Sequence, residues 1–415
     1  MNTDRAPEDI RRPRGGRARP FGPLLPMFQR FFRLQSAGGI VLLGATLLAL
    51  AWANSPLGAS YERLWQARLA VGYGAFRLDK DLIHWVNDGL MAIFFLLVGL
   101  EIKRELLAGE LSDRRRATLP FVAALGGMLV PASIFIFVTR GTPVVGAWGI
   151  PMATDIAFAL GALAALGSRV PTSLRVFLAA TAIVDDIGAV LVIALVYTPS
   201  VGAIALLAAA GVLVVLGLLN RLGVTRIAPY ALLGVALWIA ILKSGVHASV
   251  AGVLLAFAIP ARMRGEARAV PLGGASPLLR LEHALVPWVA FGIVPVFALA
   301  NAGVRIEGDL AAALTSPLSV GIVVGLLAGK LIGILAFPWL AVRLRLTALP
   351  TGASWRHMTG VALLAAIGFT MSLFIAGLAL EPADLARGKL AILVASTLAA
   401  VSGSIVLAWP RARRT

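Results

Sequence analysis

Three aspartates lie inside runs that are otherwise apolar. Asp155 falls in PMATDIAFALG (151–161), and Asp185 and Asp186 fall together in AIVDDIGA (182–189). They are the only acidic residues between Asp113 and Glu266. Lys330, in AGKLIGI (328–334), is the only cation between Arg305 and Arg343. Ionisable side chains in hydrocarbon are costly, and they mark ion or proton pathways more often than they serve packing. One acid and one base would make a structural ion pair. Three acids against one base leave two carboxylates that must be protonated, hydrated or bound to a cation. Successive residues on a helix point about 100° apart, so Asp185 and Asp186 have different surroundings and different tasks. One is expected to face a wet cavity while the other meets a partner such as Lys330.

Carboxylates in close contact titrate as a set. They hold protons or a hard cation, and the two compete for the same oxygens. The chain has no cysteine and only four histidines, so thiolate chemistry is excluded and nothing offers the imidazole or thiolate cluster a transition metal favours. No cofactor is expected.

These residues need a scaffold that spans a bilayer. Of the 415 residues, 59% are hydrophobic and only 14% charged, where a soluble protein carries about 25% charged residues. Mean hydropathy is +0.89. Gly, Pro and charged clusters punctuate twelve apolar runs near 36–54, 82–102, 117–138, 148–167, 174–197, 201–219, 227–242, 246–260, 284–303, 318–338, 357–380 and 388–409. Runs of about 20 residues cross a bilayer as helices, and alternating barrel strands are absent. The expected fold is an all-α polytopic membrane protein of twelve transmembrane helices. With the N-terminus inside, the inner segments hold 27 Lys and Arg and the outer ones 9. That bias places both termini in the cytoplasm. Residues 1–35, rich in Arg, Pro and Gly, read as a basic disordered cytoplasmic tail without a signal-peptide core. Residues 36–409 read as the transporter domain and 410–415 as a second cytoplasmic tail. The net charge of +17 is spread over loops, so it sets topology beside the lipid bilayer and does not indicate nucleic acid.

Two spans carry polar centres. WGIPMATDIAFALGALAALG (148–167) has Pro151 and the pair Thr154–Asp155, and GVALLAAIGFTMSLFIAGLAL (360–380) has Gly368, Thr370 and Ser372. Interrupted spans of this kind in the two halves of a chain are the pattern of broken helices crossing at mid-membrane. Their positive half-helix ends would meet, as would their negative ends. Asp155 would offset the first and Lys330 the second.

The motifs NDGLMAIFFLLVGLEIKREL (87–106), PMATDIAFALG, AIVDDIGA, LKSGVHASVAGV (242–253), RLEHALVPWVA (280–290), FALANAGV (297–304), AGKLIGI and IGFTMSLFIAGLA (367–379) closely resemble the NhaA family of bacterial sodium/proton antiporters. The resemblance runs from about residue 34 to 409. It implies an NhaA-like antiporter fold in which an inverted repeat relates spans three to five to spans ten to twelve, with spans four and eleven broken. It implies that Asp186 is the principal sodium- and proton-binding carboxylate and that its neighbour Asp185 is linked to Lys330. Thr154 and Asp155 would lie close to the site. It associates Glu101, Arg104, Glu105, His247, Glu282 and His283 with pH response. The implied activity is export of Na+, and of Li+, for external H+, two protons per sodium, activated at alkaline pH, by a homodimer in the bacterial inner membrane.

Taken without the family, Glu101, Arg104 and Glu105 would be a solvated helix end, and His247 a hydrogen-bonded helix-end histidine. His84 and His357 carry no functional expectation, and the role of Asp88 is open. Other classes fit less well. An intramembrane aspartyl protease places its acids on separate helices, unlike VDDIG. A retinal protein would need an aromatic pocket around Lys330. A sodium-coupled organic-anion symporter of related architecture is the nearest alternative, and the excess of acids disfavours an anion.

Overall fold

The computed structural model describes residues 25–72, 77–198, 202–261, 276–306 and 308–409. The chain runs through α1 (Leu25–Ala53), which is followed at a 112° bend by α2 (Gly58–Gln66). A two-stranded antiparallel hairpin, β1 (Arg68–Val71) and β2 (Leu78–Asp81), pairs Arg68 with Asp81. Helices α3 (Leu82–Ala108) and α4 (Arg114–Thr139) come next. A short 3₁₀ turn, Ile150–Met152, leads into α5 (Ile156–Ala165). Then follow α6 (Thr172–Leu195), α7 (Ala203–Arg221), α8 (Ile227–Ser244) and α9 (Val250–Ala258). The last third holds α10 (Pro277–Asn301), α11 (Leu310–Thr315), α12 (Pro317–Arg343), α13 (Trp355–Ala365), α14 (Phe369–Ala379) and α15 (Pro382–Ala408).

Eight helices among the described residues are long and apolar enough to cross a membrane, and up to eleven spans result if each of three bent pairs is one span. The remaining expected span, 246–260, holds only the nine-residue α9. That is short of the ~20 residues a straight crossing needs. The turn His247–Ser249, in which the Val250 amide donates to His247 O at 3.1 Å, uses up its first residues. A second difference lies at the start. The expected tail runs to residue 35, but α1 begins at Leu25. The stretch Leu25–Leu34 has no glycine, and Pro26 sits in the first turn, where proline is tolerated. The rest of the expected N-terminal tail and the C-terminal tail 410–415 lie outside the described residues.

The two polar-centred spans are broken where their sequences suggested. The pair Pro143–Met152 with α5 bends by 42°, and α13 with α14 by 44°. Each break is three residues long, 153–155 and 366–368. The breaks touch, since the Asp155 amide donates to Ile367 O at 2.6 Å. Inside a bilayer lipid is no less apolar than Leu, so helices associate through close packing. Helices α4 and α12 lie against each other in this way. A Cβ added at Gly333 would stand 2.1 Å from Gly126 O, and one at Gly126 would stand 2.3 Å from Gly333 O. Only glycine permits that approach. Just before Lys330, the turns of α12 widen to a π-helical segment, Gly325–Gly329, a feature that often marks functional positions.

Candidate ion-binding site at the helix crossing

The crossing leaves two helix N-termini and two sets of carbonyl ends far from water, and each needs a partner. Asp155 serves both N-termini. Its Oδ1 accepts from the Phe158 amide of α5 at 2.9 Å. Its Oδ2 accepts from the Thr370 amide of α14 at 3.1 Å and from the Thr370 hydroxyl at 2.5 Å. A negative group at the meeting of two positive dipole ends is favourable. Hydroxyls serve the carbonyl ends. Ser372 donates to Ile150 O at 2.8 Å, and Thr154 Oγ1 lies 2.8 Å from Ala365 O, at the end of α13.

Beside the crossing, α6 presents its two acids to different surroundings. Lys330 Nζ forms an ion pair with Asp185 Oδ2 and donates to Thr154 Oγ1 at 2.9 Å. Thr154 Oγ1 is also 2.6 Å from Asp185 Oδ2. With one proton, that hydroxyl serves either Asp185 or Ala365 at a given moment. Lys330 is fully buried and so meets the carbonyl end of α13 only through Thr154. Its own charge is taken by Asp185, where the sequence expectation had it facing the carbonyl ends.

Asp186 is equally buried, yet no hydrogen bond or ion pair engages it among the described residues. Two further polar atoms are orphaned. Asp185 Oδ1 and Thr181 Oγ1 are sealed from solvent without a hydrogen-bond partner among the described residues. They stand one turn apart on α6, hence on one face. Buried polar atoms are almost always partnered. Two orphans beside an unpaired carboxylate form an oxygen-rich place with room in its chemistry for a cation or a proton.

A second charged group occupies facing ends of α3 and α10. Arg104 Nε lies 3.1 Å from Glu282 Oε1, and its Nη2 lies 3.3 Å from Glu105 Oε1. Glu101, Glu105 and Glu282 are buried. Glu101 lies within electrostatic reach of this group on one side and of Asp186 on the other. His283, next in sequence, is exposed. His247 stands apart from the other expected pH-response residues. Its Nε2 is 3.4 Å from Asp88 Oδ1, and its ring meets the Phe374 edge-on at 5.1 Å.

The structure thus brings Thr154, Asp155, Asp185, Asp186 and Lys330 together, and groups Glu101, Arg104, Glu105 and Glu282. Sequence reasoning missed two contributors. Thr370 was visible only as a polar residue in a broken span, and Thr181 only by its i, i+4 spacing to Asp185. Among the described residues, no group of three or more His, Cys, Asp or Glu side chains is arranged to hold a metal ion.

The family model described as Na+/H+ antiporter 1 matches residues 29–407. The chain belongs to that family. Among similar proteins, the Na(+)/H(+) antiporter NhaA of Oleidesulfovibrio alaskensis is 49% identical, covering 95% of this chain and 96% of its own length. NhaA 1 of Pseudomonas putida is 50% identical over 93% and 96%, and NhaA of Rhodospirillum rubrum 52% over 92% and 96%. Membership in the Na+/H+ antiporter 1 family and the many long apolar helices make this a multi-pass bacterial membrane protein of NhaA-like fold, and the crossing described above is the element this family member shares with the expectation drawn from its motifs.

Proposed function

We propose that the protein is a sodium/proton antiporter in which Asp186 takes either a proton or a sodium ion, never both. The observation that carries this reading is Asp186, a buried carboxylate that no hydrogen bond or ion pair engages among the described residues, beside an acid whose charge Lys330 already balances. A sodium ion at Asp186 would draw further oxygens from Asp185 Oδ1, Thr181 and water, since hard cations favour oxygen donors. Lithium offers the same chemistry in a smaller ion. Glu101, Glu105 and Glu282 would draw cations toward the site, and their sharing of Arg104 gives a group whose charge responds to pH.

From the cytoplasm sodium displaces protons from the carboxylates; after the bundle reorients, external protons displace sodium. Two protons entering per sodium leaving moves one net charge inward, and the membrane potential then contributes about 2.3 kcal/mol per 100 mV. Alkaline activation follows, because a protonated carboxyl holds no sodium. The cell gains sodium tolerance and control of its internal pH. The charge bias of the loops supports both termini in the cytoplasm. The projecting hairpin β1–β2, with Leu69 and Val71 exposed, suits a homodimer contact.

The test is sodium-dependent collapse of a preset pH gradient in everted vesicles. Wild-type protein dissipates the gradient on sodium addition, and Asp186→Asn does not. Dissipation by Asp186→Asn at the wild-type rate overturns the proposal.

A further inference from the structure

A cavity of about 1520 Å³ opens at the end of the bundle where the 109–113 and 344–354 connections lie. It sits between α1, α5, the first turns of α4 and α6, and the 347–351 loop. It does not include Asp155, Asp185, Asp186, Lys330 or the Arg104 group.

Its walls have two characters. One side is apolar, with Leu119, Phe158 and Phe177 deep in it and Ile40 and Leu43 of α1 along its edge. Ile40 is 74% exposed and Leu43 46%. Both lie on a membrane-spanning helix, so the cavity opens sideways toward hydrocarbon. The other side is cationic, carrying Arg115, Arg116 and Arg175 against one acid, Glu110. Arg116 lies 3.9 Å from both Glu110 and Asp113. The Arg175 Nη2 donates to Gly167 O, while its Nε is buried without a hydrogen-bond partner among the described residues. Burial pushes the Glu110 carboxyl above its ordinary range, and three guanidinium groups outnumber that one acid in any protonation state.

We propose that this cavity is a binding site for one anionic phospholipid, its phosphodiester held by Arg115, Arg116 and Arg175 and one acyl chain laid along α1 between Ile40 and the Phe158 face of α5. Guanidinium groups match phosphate oxygens in geometry as well as charge. Basic pockets between spans on the cytoplasmic side are where such headgroups bind, and the loop charge bias assigns this end to the cytoplasm. The same arginines exclude the competitors. A sodium path would be lined by acids, and the Arg-rich N-terminal segment of the chain carries the same sign of charge as the wall. A soluble phosphate has no use for the apolar half that opens to lipid. The inference is independent of the transport reading, and its test reads lipid and not transport.

The full-length protein, purified in detergent, is incubated with phosphatidylglycerol or with phosphatidylcholine of identical acyl chains and examined by native mass spectrometry. One phosphatidylglycerol is retained in preference to phosphatidylcholine. Each arginine near a membrane surface contributes a factor of roughly five to such binding, so the triple variant R115Q/R116Q/R175Q should hold the lipid on the order of 100-fold more weakly. R115Q/R116Q alters only exposed side chains and still weakens retention, while R221Q/R226Q, at another loop, leaves it unchanged. Equal retention of both lipids, wild-type retention by the triple variant, or displacement of the lipid by millimolar inorganic phosphate each overturns the proposal.

Discussion

Thr370 gives both its amide and its hydroxyl to a single oxygen of Asp155, at 3.1 and 2.5 Å, and so ties the second half of one broken span to the residue that begins the second half of the other. Asp155 is therefore a cap for two helices at once. Losing a helix cap costs about 0.5–2 kcal/mol, and losing both at a buried crossing compounds the effect. Asp155→Ala is expected to lower the thermal midpoint of the purified protein well below that of Asp155→Asn, whose remaining carbonyl still accepts from the Phe158 amide. Thr370→Val should fall between the wild type and Asp155→Ala. Thermal unfolding in detergent, followed by circular dichroism, measures the order. An Asp155→Ala protein as stable as the wild type would remove the capping role.

Asp185 and Asp186 should separate stability from transport. Breaking a buried ion pair from one side strands a charge and costs about 3–5 kcal/mol, whereas replacing both partners is far cheaper. Lys330→Ala should thus be markedly less stable than Lys330→Leu combined with Asp185→Leu. Asp186→Asn breaks no hydrogen bond or ion pair among the described residues and should keep the wild-type midpoint while abolishing sodium-driven proton movement. The pH dependence carries a sign as well. Where protons and sodium compete for one carboxyl, apparent sodium affinity in the wild type rises with pH by up to about tenfold per unit for each proton displaced, then levels off. Sodium titrations of transport at a series of pH values check it. A flat profile contradicts the competition.

The apolar runs, the broken spans and the isolated acids were legible because each states its physics locally. A run of 20 apolar residues has few soluble uses, and an aspartate within one has fewer. Which acid meets Lys330 was legible only through the family resemblance and not from the residues themselves. Rotation about α6 and the position of α12 decide it, and the latter depends on the contact between Gly126 and Gly333, residues 207 positions apart. The short α9 was hidden because composition registers apolar residues without registering where a turn begins. Thr181 escaped because a threonine in an apolar helix usually bonds its own backbone, as Thr46 does to Leu42 O; here that bond is missing.

The Gly126–Gly333 contact carries its own expectation. A methyl group at Gly333 would stand 2.1 Å from a backbone oxygen, far inside contact distance, so α4 and α12 must separate to admit it. Lys330 sits one turn before Gly333 and would be drawn away from Asp185. Gly333→Ala should therefore lose stability and transport together, by about 1–3 kcal/mol of overpacking. Substitution at Gly377, where an added Cβ meets nothing within 4 Å, should leave both unchanged. The two alanine variants, compared by thermal midpoint and vesicle assay, form the check, and equal behaviour would show that the close approach is not needed.

Thr181 offers the sharpest contrast between folding and ion binding. Its hydroxyl is buried and bonds nothing among the described residues, so it weighs against the folded state unless something else uses it. An unsatisfied buried hydroxyl costs about 1–3 kcal/mol. Thr181→Val keeps the shape and removes the oxygen, and should raise the thermal midpoint in sodium-free buffer or leave it unchanged. If the same oxygen helps to hold the transported ion, the substitution should also weaken apparent sodium affinity, on the order of fivefold for one hydrogen-bond-sized contribution of about 1 kcal/mol. Maximal rate should change less than affinity, since Asp186 and the Asp185–Lys330 pair are untouched. Sodium titration of transport beside a melting curve separates the outcomes. A stabilised variant with unaltered sodium affinity would confine the site to Asp185, Asp186 and water, and would leave the Thr181 oxygen as a cost of the helix packing alone.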